Sequence, residues 1–302
     1  MERRLQLVVN PAAGRGRAAK LLPAVEAALR GAGHDLVVTP TRSLEHAEEL
    51  TAAAVADERV AVAMGGDGIV GRVAGAVAEA VARDGIGAGV MAVLPGGRGN
   101  DLCRAVGLPQ NALAACAVLS TGVPRALDLG VVSSGTGQLA FLGIASIGFD
   151  SDVQERVLNS RLGLGALVYL YGSLATVARW RHAEFTCSVD GLPLAVRGWS
   201  VAVANSGRYG GGMRLAPAAS LEDGLLDVVA ITATGKLTFL RSLPKLFKGT
   251  HVDEPSVSIR TATVVTLAAD RPFRVFADGD PIGTLPCTVT VRPGAVTVLL
   301  PA

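Results

Sequence analysis

Residues 60–68 read VAVAMGGDG, and residues 89–101 read GVMAVLPGGRGND. In each stretch an apolar run of β type leads into a glycine-rich turn, and a helical pattern follows directly. Glycine at a strand-to-helix turn permits positive φ and lets the backbone approach a ligand, while the following helix points free N–H groups at an anion. Both turns are therefore candidate phosphate-binding turns.

Each turn also carries an aspartate, Asp67 in the first and Asp101 in the second. A carboxylate would repel phosphate unless a divalent cation lay between them, so the pair favours a magnesium nucleotide over a bare anion. Glycine-rich turns also occur without a ligand in many α/β domains. Two such turns in one domain, both with aspartate, favour nucleotide binding over that alternative.

Strands and helices alternate over the first 128 residues. The predicted strands are 6–9, 35–39, 60–64 and 90–94. The predicted helices are 18–31, 44–56, 69–82, 100–106 and 112–119. This alternation predicts an α/β N-terminal domain, residues 1–128, with a mostly parallel sheet covered on both faces. Ligands bind such sheets at the carboxyl ends of the strands, where both glycine turns lie.

The pattern changes after Asp128, where short β-type runs are punctuated by glycine. Several runs alternate apolar and polar residues, as half-buried antiparallel strands do. We therefore predict an antiparallel β-sandwich domain over residues 129–302, and leave open a return of the last strand toward the first domain. The predicted strands are 138–147, 184–189, 199–204, 226–232, 256–267, 273–277 and 287–300, and the predicted helical patterns are 151–181 and 236–248.

Composition narrows the class of protein. The 302 residues are 50% hydrophobic and carry a formal net charge of +2 with scattered arginines, which argues against disorder and against a nucleic-acid partner. The four cysteines lie far apart without a Cys-x-x-Cys pair, which argues against a zinc site or disulfides and favours a reducing, cytoplasmic location. The first apolar run is too short for a signal peptide.

Two helical patterns bear on membrane contact. The uncharged stretch from Leu162 to Ala178 is at the short end of what spans a bilayer, and glycine and polar residues dilute it, so we expect a packed or interfacial helix. Residues 236–248 are basic and amphipathic, which suits either an anionic lipid surface or packing on the β-domain. We expect peripheral contact at the inner membrane face. An edge strand within 256–267 could pair with the same strand of a second copy, so a homodimer also stays open.

Taken together, the motifs resemble the catalytic domain family of the diacylglycerol kinases, which includes bacterial lipid kinases and sphingosine and ceramide kinases. The resemblance covers the full chain, and the motifs follow the family's order. They are Asn10-Pro11-Ala12-Ala13-Gly14, Gly65-Gly66-Asp67-Gly68, Pro95-Gly96-Gly97-Arg98-Gly99-Asn100-Asp101, Asp128-Leu129-Gly130, Gly148-Phe149-Asp150, Gly210-Gly211-Gly212 with Ala216-Pro217, Asp223-Gly224-Leu225-Leu226-Asp227 and Asp278-Gly279-Asp280. NAD kinases share Gly-Gly-Asp-Gly, so that motif alone is weak, whereas the ordered set is specific.

The resemblance implies ATP-dependent phosphorylation of a lipid hydroxyl, with ATP and Mg²⁺ as cofactors and a lipid alcohol such as diacylglycerol as acceptor. Phosphoryl transfer asks mainly for positioning and charge neutralisation, which suits loops, magnesium and a few carboxylates. The residues that match the family's nucleotide site are Asn10, Gly14, Arg15, Thr41, Gly65, Gly66, Asp67, Gly68, Gly97 and Arg98. The residues that match its catalytic acidic set, which organises magnesium and water, are Asp67, Asp101 and Asp128. Ser220, Asp223 and Leu225 match a second, structural metal position.

Asp280 matches the family's general base, which is usually glutamate. Its carboxylate would accept the proton of the acceptor hydroxyl as phosphorus is attacked, provided that it lies within hydrogen-bond reach. Aspartate is a methylene shorter than glutamate, so the backbone must come closer or a water must bridge. The alternative is a β-turn in which Asp280 caps its own backbone.

Two positions depart from the family pattern, because Ile69 and Arg98 stand where the family carries threonine. Both changes remove hydroxyls that could bond to phosphate or metal-bound water. Arg98 brings a planar cation with five donors, which could grip phosphate or pair with Asp101. Two other functions stay open. The shared Gly-Gly-Asp-Gly motif leaves a kinase for a soluble substrate, of the NAD kinase type. Ile69, Arg98 and Asp280 leave a catalytically weak nucleotide-binding homologue.

Overall fold

The computed structural model describes residues 2–84, 89–159 and 167–302. Its first four strands are parallel and lie in the order β4-β3-β1-β2. They are β1 (Arg4–Val9), β2 (Asp35–Pro40), β3 (Val60–Gly65) and β4 (Val90–Pro95). The helices of this part are α1 (Ala13–Gly31), α2 (Leu44–Ala56), α3 (Asp67–Asp84), α4 (Asp101–Ala105) and α5 (Ala112–Thr121). The predicted parallel α/β arrangement is confirmed.

Apolar clusters cover both faces of the parallel strands. One cluster includes Val8 and Ala63 with residues of α2 and α3, and the other includes Leu7 and Val62 with residues of α1 and α5. Strands buried on both faces read as continuous apolar runs, as β3 and β4 do. The carboxyl ends of β3 and β4 lie side by side, with Gly65 paired to Pro95, so the two glycine turns emerge together.

The remaining strands pair almost entirely in antiparallel fashion. They are β5 (Val123–Ser134), β6 (Gly137–Phe141), β7 (Ile144–Gly148), β8 (Ala183–Val189), β9 (Leu192–Ala204), β10 (Leu226–Thr232), β11 (Val257–Ala262), β12 (Val264–Ala269), β13 (Arg274–Ala277), β14 (Asp280–Thr284) and β15 (Cys287–Leu300). The first half of β9 pairs with β8, and its second half pairs with β7 and β10. Their core contains an aromatic cluster in which the rings of Trp199 and Phe239 stack 3.8 Å apart.

The last strand does return to the first sheet. Thr297 and Val298 of β15 pair in parallel with Val90 and Met91 of β4, while the rest of β15 pairs with β5 and β12. The hydrogen-bonded sheet is therefore continuous through both halves. Because β5 runs through residue 128, the boundary at that residue remains a prediction.

Two predicted strands are each divided in two. In each case an aspartate from a distant part of the chain accepts hydrogen bonds from backbone N–H groups at the break. Within 138–147, the backbone N–H groups of Leu142 and Gly143 turn aside and donate to Asp278. Within 256–267, the N–H groups of Thr263 and Val264 donate to Asp190. Sequence periodicity misses both breaks because each carboxylate comes from a distant part of the chain. It also misses β5 and β14 entirely.

The helices of the second half are α6 (Phe149–Leu158), α7 (Leu167–Arg179) and α8 (Lys236–Lys248), followed by a 3₁₀ turn (Thr250–Asp253). The helical pattern predicted over 151–181 thus contains two helices, and residues 160–166 lie outside the described residues. Among the described helices, none has the length and apolar character needed to cross a bilayer. The first residues of the uncharged stretch 162–178 fall in the part that is not described.

Candidate functional site

The two glycine turns pack backbone against backbone. Gly96 and Gly97 both donate their N–H groups to the carbonyl of Gly65, at 2.7 and 2.8 Å. A Cβ added to Gly97 would overlap the Cα of Gly66. Glycine is therefore required at the point of contact, and the turns form one surface of closely spaced backbone, as a phosphate site needs.

The loop after β1 is the third wall of this surface. Asn10 donates its N–H to Met64 and accepts the N–H of Ala12 on its side chain, which fixes the loop against the end of β3. Gly14, Arg15 and Gly16 follow with φ of 60°, 61° and 82°. A left-handed arginine is uncommon and costs free energy, so its persistence points to a functional constraint.

The helix α1 is therefore regular only after Gly16, which agrees with the predicted start at residue 18. A Cβ on Gly14 would lie 2.5 Å from the carbonyl oxygen of Gly96, so the loop touches the second glycine turn. Thr41, which follows β2, donates its N–H to Val9 at 2.7 Å and lies at the same edge of the sheet. The structure thus brings Asn10, Gly14 and Thr41 to the strand ends that carry the glycine turns.

Asn100 buttresses the second turn, a role that the sequence analysis did not single out. It is 5% exposed and left-handed, with φ of 49°. Its side chain accepts the N–H of Gly97 at 2.9 Å and donates to the carbonyl of the same residue. Asparagine tolerates this backbone conformation because its short side chain bonds locally. The signal in the sequence was its place directly after the glycines.

Asp67 and Asp101 form a buried acidic pair beside the turns. A Cβ on Gly99 would lie 3.1 Å from Asp67 Oδ2 and 3.0 Å from Asp101 Oδ2, so both carboxylates approach one point. Asp67 Oδ1 also accepts the N–H of Leu102 at 3.1 Å. Burial and the negative charge of Asp101 raise the pKa of Asp67 to about 6. The pair therefore lacks a neighbouring positive charge strong enough to offset its burial.

The site residues fit a magnesium ion. Asp101 is 7% exposed and its Oδ1 is buried without a hydrogen-bond partner in the described part of the chain. Mg²⁺ is commonly bound by one or two carboxylates together with substrate phosphates. Within the described ranges no three His, Cys, Asp or Glu side chains cluster closely enough to hold a metal ion alone. Asp67 and Asp101 therefore suit a metal that arrives with a nucleotide.

Residues of the second half reach the same place. Gly211 donates its N–H to Asp101 Oδ2 at 2.7 Å, which ties the Gly210-Gly211-Gly212 loop to the second glycine turn. On the other side, a Cβ on Gly68 would overlap Oδ2 of Asp280. The carboxylate of Asp280 thus lies directly on the first turn of α3, at the first glycine turn.

The two aspartates of Asp278-Gly279-Asp280 have different tasks. Asp278 accepts the N–H groups of Leu142 and Gly143, each at 3.0 Å, so both of its oxygens are occupied. Burial and the charge of Asp67 raise the pKa of Asp278 to about 7. Burial also raises the pKa of Asp280, and the Arg72 guanidinium opposes this. Asp278 holds the turn in position, and Asp280 is the carboxylate that faces the glycine loop.

Asp128 has different partners from the other two members of its predicted set. Asp128 is 2% exposed, and its oxygens accept the N–H groups of Gly224 and Gly294, each at 2.7 Å. Gly224 belongs to the loop that carries the predicted metal position. In that loop Ser220 Oγ accepts the N–H of Glu222, and Asp223 Oδ1 accepts the N–H of Leu225. No described contact joins Asp128 to Asp67 or Asp101.

The two departures from the family pattern differ in consequence. Ile69 is 2% exposed and belongs to the core beneath α3, where its Cγ2 would lie 2.6 Å from a Cβ on Gly65. Its side chain is therefore buried against Gly65 of the first turn and offers no polar group there. Arg98 is exposed, and none of the described ion pairs joins it to Asp101. Its guanidinium is available at the rim of the second turn.

Asp150 is a buried acid that lies away from the glycine turns. It lines a cavity of about 20 Å³ under α8 together with Tyr209 and His251. Asp150 Oδ2 and His251 Nδ1 are both buried and lack hydrogen-bond partners among the residues described. Burial raises the pKa of Asp150 to about 6, although a hydrogen bond from Ser200 opposes the shift. The ionised form of Asp150 therefore costs stability.

Replacing Asp150 with Asn is expected to raise the free energy of unfolding by roughly 1–3 kcal/mol at pH 8. The folded-state pKa lies above the ordinary value, so the stability present in acid is lost as pH rises through about 6. The gain should therefore shrink toward pH 4. Urea unfolding at pH 4 and pH 8 measures both values, with Asp57→Asn at an exposed position as the control. An equal effect at both pH values would contradict the account.

Comparisons with known proteins show the family of the chain. Residues 4–132 match the family model described as the diacylglycerol kinase catalytic domain. Residues 143–300 match the model described as the YegS C-terminal NAD kinase beta sandwich-like domain. Both the family resemblance and the predicted two-part fold class are thereby confirmed.

Individual relatives cover nearly the whole chain. A protein of Mycobacterium tuberculosis named "Diacylglycerol kinase" is 34% identical over 298 residues, which are 97% of this chain and 94% of that protein. A Pseudomonas fluorescens protein named "Probable lipid kinase YegS-like" is 34% identical over 281 residues, 92% of this chain and 89% of its own. A solved Bacillus anthracis structure described as a diacylglycerol kinase has a TM-score of 0.71 at 21% identity, and covers 99% of this chain and 97% of its own. That last likeness supports the fold.

Proposed function

This chain belongs to the diacylglycerol kinase catalytic-domain family, and from that premise we propose that it transfers the γ-phosphoryl group of ATP to the hydroxyl of a lipid. Diacylglycerol is the first acceptor to consider, because the Mycobacterium tuberculosis relative carries that name. The observation that carries the proposal is the contact between Asp280 and Gly68. It joins a carboxylate from the second half of the chain to the glycine turn of the first.

In this proposal the nucleotide is bound by the two glycine turns and by the loop after β1. Backbone N–H groups of Gly66 and Gly68 would face the phosphates, because closely packed glycine turns at strand ends leave room for them. The N–H of Gly97 is held by Gly65 and Asn100, so Gly97 would serve by letting the two turns pack together. The residues that complete the proposed nucleotide site are Asn10, Gly14, Arg15, Thr41, Gly65 and Arg98. The exposed, left-handed Arg15 would add a positive charge beside the phosphates.

Asp67 and Asp101 would hold Mg²⁺ with the phosphates of ATP. The unpartnered Asp101 Oδ1 and the raised pKa of Asp67 support this assignment. When bound, the ion neutralises charge on the phosphates. We assign Asp128 to positioning, since both of its oxygens hold backbone groups, and keep Ser220, Asp223 and Leu225 as a structural cation position. A raised pKa of Asp227, caused by burial and by the charge of Asp223, supports that position.

Asp280 would then serve as the general base. Its carboxylate accepts the proton of the acceptor hydroxyl, so that the oxygen attacks phosphorus with the nucleotide held on the opposite side of the cleft. Asp278 keeps Asp280 at this distance by its bonds to Leu142 and Gly143. The shorter side chain of aspartate is compatible with the role, because the turn lies in contact with α3.

A screen of extracted bacterial lipids tests the proposed function without assuming one acceptor. The protein is incubated with the lipids, Mg²⁺ and ATP, and mass spectrometry follows lipids that gain a phosphate. We expect one lipid class to gain phosphate only when ATP is present. NAD in a parallel reaction tests the soluble-substrate alternative, and phosphorylation of NAD with none of any lipid would reject the proposal.

Replacing Arg98 with Thr is expected to raise the KM for ATP about fivefold to tenfold, because the exposed guanidinium would lose charge-assisted bonds to phosphate. Steady-state kinetics at saturating acceptor measure the change. Lys20→Thr, at an exposed position of α1, is the control and should leave the KM unchanged. Equal KM values for the parent and R98T would instead assign Arg98 to the solvated surface.

A further inference from the structure

One face of α8 is apolar and exposed although the opposite face is firmly packed. Phe239 and Leu246 are 4% and 6% exposed and belong to two core clusters. Leu237 and Phe247, in contrast, are 60% and 59% exposed. The helix is thus held to the protein by one side, while two large apolar side chains point away from it.

The exposed side of α8 is defined here by Leu237, Arg241, Pro244, Phe247 and Lys248, and we refer to it as the outer face. Leu237, Arg241, Pro244 and Lys248 are spaced by four, three and four residues, which aligns them along one side of a helix. Phe247 lies at the edge of the same side. All five residues are exposed to solvent.

The charge of α8 has a single sign. The helix carries Lys236, Arg241, Lys245 and Lys248 and no acidic residue, in a chain whose total charge is only +2. Lys245 is paired with Glu254, and Lys236 donates to the carbonyl of Ala178 at the end of α7. Arg241 and Lys248 have no hydrogen bond or ion pair recorded in the described part of the chain. Two free cations therefore flank the exposed apolar side chains.

We propose that the outer face of α8 docks on a bilayer that contains anionic lipid. Basic residues interleaved with exposed apolar ones match the two layers of such a surface, where headgroups carry negative charge and acyl chains accept apolar groups. This docking surface rests on the proposed lipid kinase function, since it would bring the cleft to a membrane-bound acceptor. The proposal assigns membrane contact to particular residues of α8, which the sequence motifs do not do.

Vesicle flotation without ATP tests the docking surface. The full chain is mixed with vesicles of phosphatidylcholine alone, or with phosphatidylserine added, because neither lipid offers the glycerol hydroxyl of diacylglycerol. We expect binding to the anionic vesicles and a decline as salt is raised. Arg241→Glu with Lys248→Glu should weaken binding about 30-fold or more. Leu237→Glu with Phe247→Glu should weaken it at least about tenfold.

Matched variants change charge equally at exposed positions elsewhere. Lys20→Glu with Arg197→Glu is the control for the basic pair, and Leu113→Glu with Leu192→Glu is the control for the apolar pair. Each control should keep binding within about twofold of the parent. Failure of the parent to bind anionic vesicles, or equal losses in the control pairs, would overturn the proposal. Circular dichroism verifies that each variant is folded.

Activity on a soluble acceptor separates this proposal from the proposed function. Dihexanoylglycerol needs no membrane, so the α8 variants should phosphorylate it at the parent's rate. A parent that binds vesicles but phosphorylates no lipid would reject the kinase function and leave the docking surface standing. A parent that phosphorylates dihexanoylglycerol but does not bind vesicles would reject the docking surface alone.

Discussion

Asp280→Asn is expected to lower kcat for lipid phosphorylation by about 10² to 10⁴-fold, the usual contribution of a general base. The affinity for magnesium ATP should stay within about threefold, since the proposed nucleotide contacts come from other loops. The change keeps the size of the side chain and removes its ability to accept a proton. Steady-state kinetics with the best acceptor, together with calorimetric titration of ATP, measure the two quantities separately.

Two further variants sharpen this prediction. Asp280→Glu restores the longer carboxylate usual in the family and should retain activity within about tenfold of the parent. Asp253→Asn removes an exposed carboxylate elsewhere in the second half of the chain and should leave kcat and the affinity for magnesium ATP unchanged. A fully active Asp280→Asn protein would show that the Asp278-Gly279-Asp280 turn is structural and that the base lies elsewhere.

Gly97→Ala is expected to lower kcat/KM for ATP by about 100-fold. The added methyl group would overlap the Cα of Gly66, so one of the two turns must move. The Cα and N of Gly66 are backbone atoms, which cannot move aside as the end of a side chain does. A shift of the turns therefore misplaces the backbone donors along them. Kinetics with ATP as the varied substrate and calorimetric titration of magnesium ATP measure the loss.

The matched control for this substitution is Gly31→Ala. Gly31 lies at the end of α1, and a Cβ there would meet nothing within 4 Å. This variant should keep the parent's ATP affinity and match or slightly exceed its stability, because alanine favours helix more than glycine does. Unchanged ATP kinetics in Gly97→Ala would contradict the assignment of the packed glycine turns to nucleotide binding.

The first half of the fold is largely predictable from the sequence. Its strands are buried on both faces and appear as uninterrupted apolar runs, and each is followed by a helix with clear periodicity. The glycine turns after β3 and β4 follow from the same pattern. The pattern does not predict the left-handed backbone of Gly14 to Gly16, because it has no periodic signal and Gly14 packs against the distant Gly96.

The second half is harder because distant carboxylates determine local structure. Asp278 interrupts the strand predicted over 138–147, and Asp190 interrupts the one over 256–267. Neither effect has a local sequence signal. Asp128 likewise matches a catalytic motif by position, yet its oxygens bind Gly224 and Gly294 from loops that only the tertiary fold brings near.

The candidate site could be assembled from the sequence only through the family resemblance. Asp280 follows Gly68 by more than two hundred residues, and no periodicity predicts that they touch. Ile69 shows the converse limit. The sequence marks it as a lost hydroxyl in the nucleotide loop, whereas its side chain is buried in the core and packs against Gly65.

Transfer of labelled phosphate tests the central claim most directly. The parent and Asp280→Asn are incubated with Mg²⁺, ATP labelled at the γ-phosphate and mixed micelles that contain diacylglycerol, and the extracted lipid is counted. The account predicts labelled lipid with the parent and at most about one hundredth of that rate with the variant. Label that stays in ATP or appears only as free phosphate, across all lipids tested, would contradict it.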